Sequence, residues 1–261
     1  MVGIKKLKSH RFYVIILSER DDNMKLIKHA VIPASICDPN VKLSVKGTFD
    51  LLQDYLTEMM GVLKIDGVTL RKKYGCVWVF TRNCVEIDRE LEWMEEYTAE
   101  SYISSAKGAK MTVDTVLKDN SGAICVYSRI EMCALELSTQ RIKRIRDVGV
   151  TADTDVEQPE RDIIYSRRRF EGLEDYATVK VVSGDIDFIQ HTNNVSYVRF
   201  ITNTYSVKEL RERPIRRIEL HYEGQTHEGD VLTIRKACVD GKELFDVVLG
   251  DMKAVECEIE R

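Results

Sequence analysis

The sequence predicts an α+β protein built from two copies of one unit, each a long helix wrapped by an antiparallel β-sheet. Three observations point there. Residues 48–63, TFDLLQDYLTEMMGVL, place Phe49, Leu52, Leu56, Met59, Met60 and Leu63 at helical spacing along one apolar face. From Cys76 onward the pattern changes to β-rich segments separated by turn residues. After residue 162 the same order of strand, helix and strands comes round again.

Each element follows from local chemistry. Residues 25–37, KLIKHAVIPASIC, mix β-branched and polar residues and read as a strand, and Asp38-Pro39-Asn40 breaks it. The helix follows, with Gly61 and then Gly67 as expected stops. Strands are expected at 77–87, 95–106, 109–119 and 123–137, the last two joined through Asn120-Ser121-Gly122. A polar segment at 146–162 contains the expected linker, 147–162, so that the halves are 1–146 and 163–261. In the second half YATVKVV (176–182) reads as a strand and NNVSYVRFITNTYS (193–206) begins a helix. Ser206 and Glu209 have the spacing of a capping box for a further short helix. Strands are expected at 215–224, 230–239, 243–251 and 252–260, with Asp240-Gly241 as a hairpin turn.

Composition narrows the classes. A hydrophobic fraction of 44% with 31% charged residues gives enough apolar material for proper cores. A formal net charge of −4 disfavours nucleic-acid binding by bulk electrostatics. The longest early apolar run, Phe12 to Leu17, is too short to span a bilayer, so no membrane insertion is expected. The seven cysteines are dispersed, without a C-x-x-C pair or a histidine spaced to complete a metal site. Reduced, buried thiols in a cytoplasmic protein are the expectation.

Residues 185–197, DIDFIQHTNNVSY, collect groups that accept, donate and move protons. A helix beginning at Asn193 or Asn194 presents unpaired backbone N–H groups and its positive dipole end beside His191. Asp187 lies just before it, a base or nucleophile within reach of the same volume. Taken singly, Asp187 and Asn193 would cap a turn and a helix. Taken together, they surround a place where a carbonyl oxygen could be polarised.

This stretch resembles the D-x-N-x-H-x-N-N-x-x-Y pattern of the acyl-acyl carrier protein (acyl-ACP) thioesterases, with Asp187, His191, Asn193, Asn194 and Tyr197 all fitting. Residues 37–55, 78–82, 85–98 and 117–145 are similar to the first half of that family in the same order, so the likeness spans about 24–258. The resemblance implies two tandem hot-dog folds and hydrolysis of a fatty acyl thioester. Asp187, His191 and Gln225 are the implied catalytic positions, and Asn193 and Asn194 the implied substrate-binding ones. Two positions depart from the family. Its asparagine two residues after the aspartate is Ile189 here, and its glutamate is Gln225, expected on the second strand after the helix. Ile cannot orient by hydrogen bonding, and Gln can orient water but cannot deprotonate it. Base duty therefore falls on Asp187 with His191 assisting.

In the first half Asp38 and Asn40 match the same loop, but Lys42 stands where His191 stands, which marks that half as scaffold and wall of an acyl pocket. His221 and His227 flank Gln225 without a matching motif and read as ordinary strand and turn residues. The implied partner is an acyl carrier protein, which is acidic. Candidate docking cations are Arg141, Lys143, Arg144 and Arg146; Arg167, Arg168 and Arg169; and Arg211, Arg213, Arg216 and Arg217. No metal or organic cofactor is implied, and a homodimer is compatible with the sequence. An acyl-coenzyme A thioesterase and a non-catalytic acyl-binding relative are the alternatives.

Overall fold

A computed structural model describes residues 25–150, 156–166 and 170–261. In the first half β1 (Lys25–Val31) leads through a 3-10 turn at Ala34–Ile36 into α1 (Val45–Val62). Then come α2 (Gly67–Tyr74), β2 (Cys76–Ile87), β3 (Glu96–Lys107), β4 (Lys110–Lys118), β5 (Ile124–Glu136) and β6 (Arg141–Lys143). The second half runs β7 (Glu174–Lys180), a 3-10 turn at Ser183–Asp185, α3 (Asn194–Thr202), α4 (Val207–Glu212), β8 (Arg217–Tyr222), β9 (Val231–Val239), β10 (Lys242–Leu249) and β11 (Met252–Glu260).

The repeat holds at the level of strand order. One antiparallel sheet runs β1-β3-β4-β5-β2-β8-β11-β10-β9-β7, with β6 on β5. The strand order of the second half repeats that of the first in reverse, outward from the central β2–β8 pair. That seam is registered by Arg82 opposite His221 through Glu86 opposite Arg217. A buried cluster continues across it: Phe49, Leu52 and Tyr55 of α1 pack in the same core as Val195, Val198 and Phe200 of α3. The α+β class with two repeated units is as the sequence predicts, and the two units share one sheet and a continuous core.

Local signals account for most boundaries. The Ser44 hydroxyl accepts the Gly47 N–H at the start of α1. A Cβ on Gly47 would lie 2.4 Å from the Ile36 carbonyl oxygen, so only glycine lets the helix start press on the preceding turn. Ser206 and Glu209 form the expected capping box of α4. Asp240 and Gly241 both take positive φ in the β9–β10 hairpin.

Two expectations about helices fail. Gly67 begins a helix rather than ending one: Asp66 accepts the Val68 and Thr69 N–H groups and caps α2. This helix buries only Leu70, so it carries no apolar period to read. The helix that begins in 193–206 is also short, 9 residues ending at Thr202, where a long one is expected.

Residues around 156–163 pack onto the first half. Glu157 N–H bonds the Ile103 carbonyl, Arg161 holds Glu86 and Asp88, and Ile163 packs with Tyr102 and Tyr127. The expected docking cations divide. Arg217 is mostly buried in the seam against Glu86 and Glu219, and Lys143 is paired to Glu136 at 2.8 Å. Arg141, Arg144, Arg211 and Arg213 are exposed, whereas Arg167, Arg168 and Arg169 lie outside the described residues. Cys76, Cys84, Cys125, Cys133 and Cys257 are buried, and burial pushes the Cys84 thiol up to about 12. No helix among the described residues is long and apolar enough to cross a membrane.

Candidate active site at the junction of the two halves

The loop before α3 is a tight turn built on one carboxylate. Asp187 Oδ1 accepts the backbone N–H groups of Ile189 (2.9 Å) and His191 (3.2 Å), while the Asp187 N–H bonds the His191 carbonyl. Gln190 takes the positive φ that closes the turn. The geometry spends Oδ1 on structure and leaves Oδ2 as the oxygen able to meet a reacting group. Asn193 is the N-cap of α3: its side-chain oxygen accepts the Val195 N–H, and its carbonyl accepts the Ser196 N–H. Of the first-turn donors, the Asn194 N–H makes no bond among the described residues and adjoins the cavity.

The β8–β9 loop closes over this turn. Gln225 lies in that loop, not on a strand as expected. Thr226 is fully buried and locks the two loops together. Its carbonyl accepts the Thr192 N–H, and its hydroxyl meets those of Thr192 and Tyr197, each at 2.7 Å. Gly224 lets the loop lie flat on β11, since a Cβ there would meet the Lys253 carbonyl at 2.8 Å. Tyr197, conspicuous in the motif, is therefore an anchor for the neighbouring loop.

A cavity of about 630 Å³ opens between these loops and the first half, within the range of small-molecule sites, about 300–1,000 Å³. Its polar end carries Asp187, His191, Asn193, Asn194, Gln225 and His227. Apolar lining comes from the other half, Leu56 and Met60 of α1 and Val77, Trp78 and Phe80 of β2, beside the polar Gln53, Thr57 and Asp66. Phe188 reaches across to α2, its ring edge 3.4 Å from where a Cβ on Gly67 would sit. His191 is partly buried, and burial pulls its pKa below the usual imidazole value, with Asp187 opposing and His227 reinforcing the shift. The imidazole is thus predominantly unprotonated at neutral pH, ready to accept a proton.

The first half preserves the same turn in detail. Asp38 Oδ1 accepts the Asn40 and Lys42 N–H groups at 2.9 and 3.1 Å, the Asp38 N–H bonds the Lys42 carbonyl, and Val41 takes the positive φ. The Leu43 N–H bonds the Leu91 carbonyl just as that of Thr192 bonds Thr226. This register makes Asn40 the counterpart of Ile189, Lys42 of His191, and Glu90 of Gln225. Lys42 and Glu90 approach to 3.5 Å. Each half therefore holds what the other lacks, Asn and Glu in the first and His in the second.

Comparison with known proteins follows the same division. The acyl-ACP thioesterase N-terminal domain profile matches residues 28–151, and the C-terminal domain profile matches residues 171–255. The chain belongs to the acyl-ACP thioesterase family. A crystal structure of an acyl-ACP thioesterase from Bacteroides thetaiotaomicron superposes with a TM-score of 0.84 at 19% identity, covering 94% of this chain and 99% of that one. The 12:0-ACP thioesterase from Umbellularia californica superposes at 0.73 with 17% identity, covering 90% and 96%. A chloroplastic palmitoyl-acyl carrier protein thioesterase from Arabidopsis thaliana is 23% identical over 195 residues, 71% of this chain and 46% of that protein. The chain spans about half the length of the curated relatives it matches.

Within this acyl-ACP thioesterase fold, the predicted residues Asp187, His191, Asn193, Asn194 and Gln225 all line one cavity. His227, an ordinary turn residue by its sequence, lines that cavity too, its ring edge-on to His191 with centroids 5.3 Å apart. His221 lies elsewhere, on β8 beside Glu223 and Glu256. Nothing in local spacing distinguished these two histidines. Only the path of the β8–β9 loop does.

Proposed function

We propose that this protein hydrolyses the thioester of a fatty acyl-acyl carrier protein to free fatty acid and carrier thiol. The observation that carries this reading is the cavity itself, with proton-moving groups from one half at one end and an apolar wall from the other half. An acyl chain lies along Leu56, Met60, Val77 and Phe80, which places its carbonyl among Asp187, His191 and the start of α3. The Asn194 N–H, at the positive end of the α3 dipole, receives the developing oxyanion. Asp187 Oδ2 and the unprotonated His191 imidazole form the acid–base or nucleophilic pair acting on the thioester group. Gln225 orients water by hydrogen bonding. Asn193 contributes by capping α3 and so fixing the direction of the free N–H.

An acidic carrier protein is the expected partner, met by exposed cations such as Arg141, Arg144, Arg211 and Arg213. The dispersed, mostly buried cysteines suit a cytoplasmic setting. Thiol release from acyl carrier substrates of graded chain length, set against the matching coenzyme A thioesters, is the deciding assay. The carrier thioesters are expected to have the higher kcat/KM. Preference for coenzyme A thioesters would reassign the partner, and binding without thiol release would make the protein an acyl-binding relative.

A further inference from the structure

We infer that His227 is a catalytic residue, the base that takes the proton of the hydrolytic water where Gln225 cannot. This rests on the thioesterase reading of the cavity, in which Asp187 and His191 act on the thioester group. Four observations carry it. The loop position that the resemblance gives to a glutamate is Gln225, an amide with no proton-accepting role at neutral pH. Two residues further along the same loop, His227 lines the same cavity. Its ring stands edge-on to His191 at 5.3 Å, so the two imidazoles border one volume. Finally, its backbone is held. The His227 N–H donates to Asp230 Oδ2 at 2.8 Å, and the preceding Thr226 is pinned by Thr192 and Tyr197. A general base must accept a proton within reach of the substrate, and His227 offers an imidazole on a held backbone at the cavity.

The step balances without any co-reactant. Water oxygen attacks the thioester carbonyl carbon while its proton passes to the unprotonated ring nitrogen of His227, and the carbonyl π pair moves to the oxygen facing the Asn194 N–H. When the tetrahedral centre collapses, the C–S bond breaks with its electron pair on sulfur. The His227 imidazolium then returns the proton to that thiolate, leaving carboxylic acid and thiol. The ionisable groups that line the cavity with His227 are His191 and Asp187 from the loop before α3, Glu223 from its own loop and Asp66 from the cap of α2, and Asp230 accepts its backbone N–H.

The test is His227→Gln, assayed by acyl carrier thiol release with a full pH profile, with His221→Gln as a control outside the cavity. His227 is exposed at the cavity mouth, so the variant is expected to fold, and its melting temperature is compared with wild type. A fall in kcat of about 10²-fold is expected, with KM within about twofold and the acidic limb of the kcat profile, to which His191 also contributes, changed in position. His221→Gln should behave as wild type. Adding Gln225→Glu to His227→Gln returns a carboxylate base to the loop and should recover at least about tenfold. A folded His227→Gln enzyme keeping kcat within about threefold, or keeping the wild-type pH profile, overturns the assignment. So does failure of Gln225→Glu to rescue. An inactive wild-type chain overturns the thioesterase reading instead, which separates the two failures.

Discussion

Asp187 and Asp38 form the same turn, and that makes a paired experiment possible. Asparagine at either position keeps an oxygen that can accept the backbone N–H groups, so Asp187→Asn and Asp38→Asn preserve the turn while removing its charge. Two bonds of 2.9 and 3.2 Å are weakened at Asp187, and two of 2.9 and 3.1 Å at Asp38, where the Asn40 amide adds a third at 3.0 Å. Hydrogen bonds to charged groups contribute about 1.5–3 kcal/mol and neutral ones about 0.5–1.5. Asp187→Asn therefore loses about 2–3 kcal/mol and Asp38→Asn, with three bonds, about 3–4.5 kcal/mol. For a chain of this size those are falls in Tm of roughly 4–12 °C and 6–18 °C. Activity should fall in the opposite order. Asp187→Asn removes the carboxylate at the polar end of the cavity and should lower kcat about 10²-fold or more. Asp38→Asn should leave kcat within about twofold, because Lys42, paired to Glu90, holds the place of a proton-transferring histidine. Urea unfolding and thiol release on the same samples measure both quantities. Equal activity losses in two folded variants would refute the division into catalytic and scaffold halves. An active Asp187→Asn enzyme would reduce Asp187 to a turn residue.

Other outcomes follow from the same geometry. Ile189→Asn should raise kcat by roughly 2–10-fold, because the Asn40 amide bonds Asp38 Oδ2 in the first half and an asparagine at 189 can hold Asp187 Oδ2 alike; steady-state kinetics with a stability control checks it. The His191 pKa is lowered in the folded protein, so below the unfolded value near 6.5 the unfolded state binds more protons, and stability falls with pH from there down through the folded pKa. Urea midpoints between pH 7 and 5 should show this slope, and His191→Gln should flatten it. Met60→Trp fills the apolar end of the cavity and should shift preference toward shorter acyl chains. Overpacking there costs about 1–3 kcal/mol, and a substrate panel with a melting curve separates the two effects.

Local chemistry was legible in the sequence wherever the determining residues are neighbours. Apolar spacing located α1, alternation located the long strands, and Ser206 with Glu209 located α4. The Asp187–Tyr197 motif identified the loop and helix start that border the cavity. In each case the forces act over a few residues, as turns, caps and helical faces do. α2 escaped because an eight-residue helix burying only Leu70 leaves no periodic trace. Tertiary structure alone decided the rest. It joined β2 to β8, so that both hot-dog units share a sheet and a core, and it buried Arg217 in that seam among Glu86 and Glu219. It set Leu56 and Met60 of the first half against His191 of the second, and turned His227 into the cavity while leaving His221 on the sheet. Strand pairing and loop closure join residues far apart in the chain. Their energies come from burial and hydrogen bonding between segments, for which spacing along the sequence carries no record.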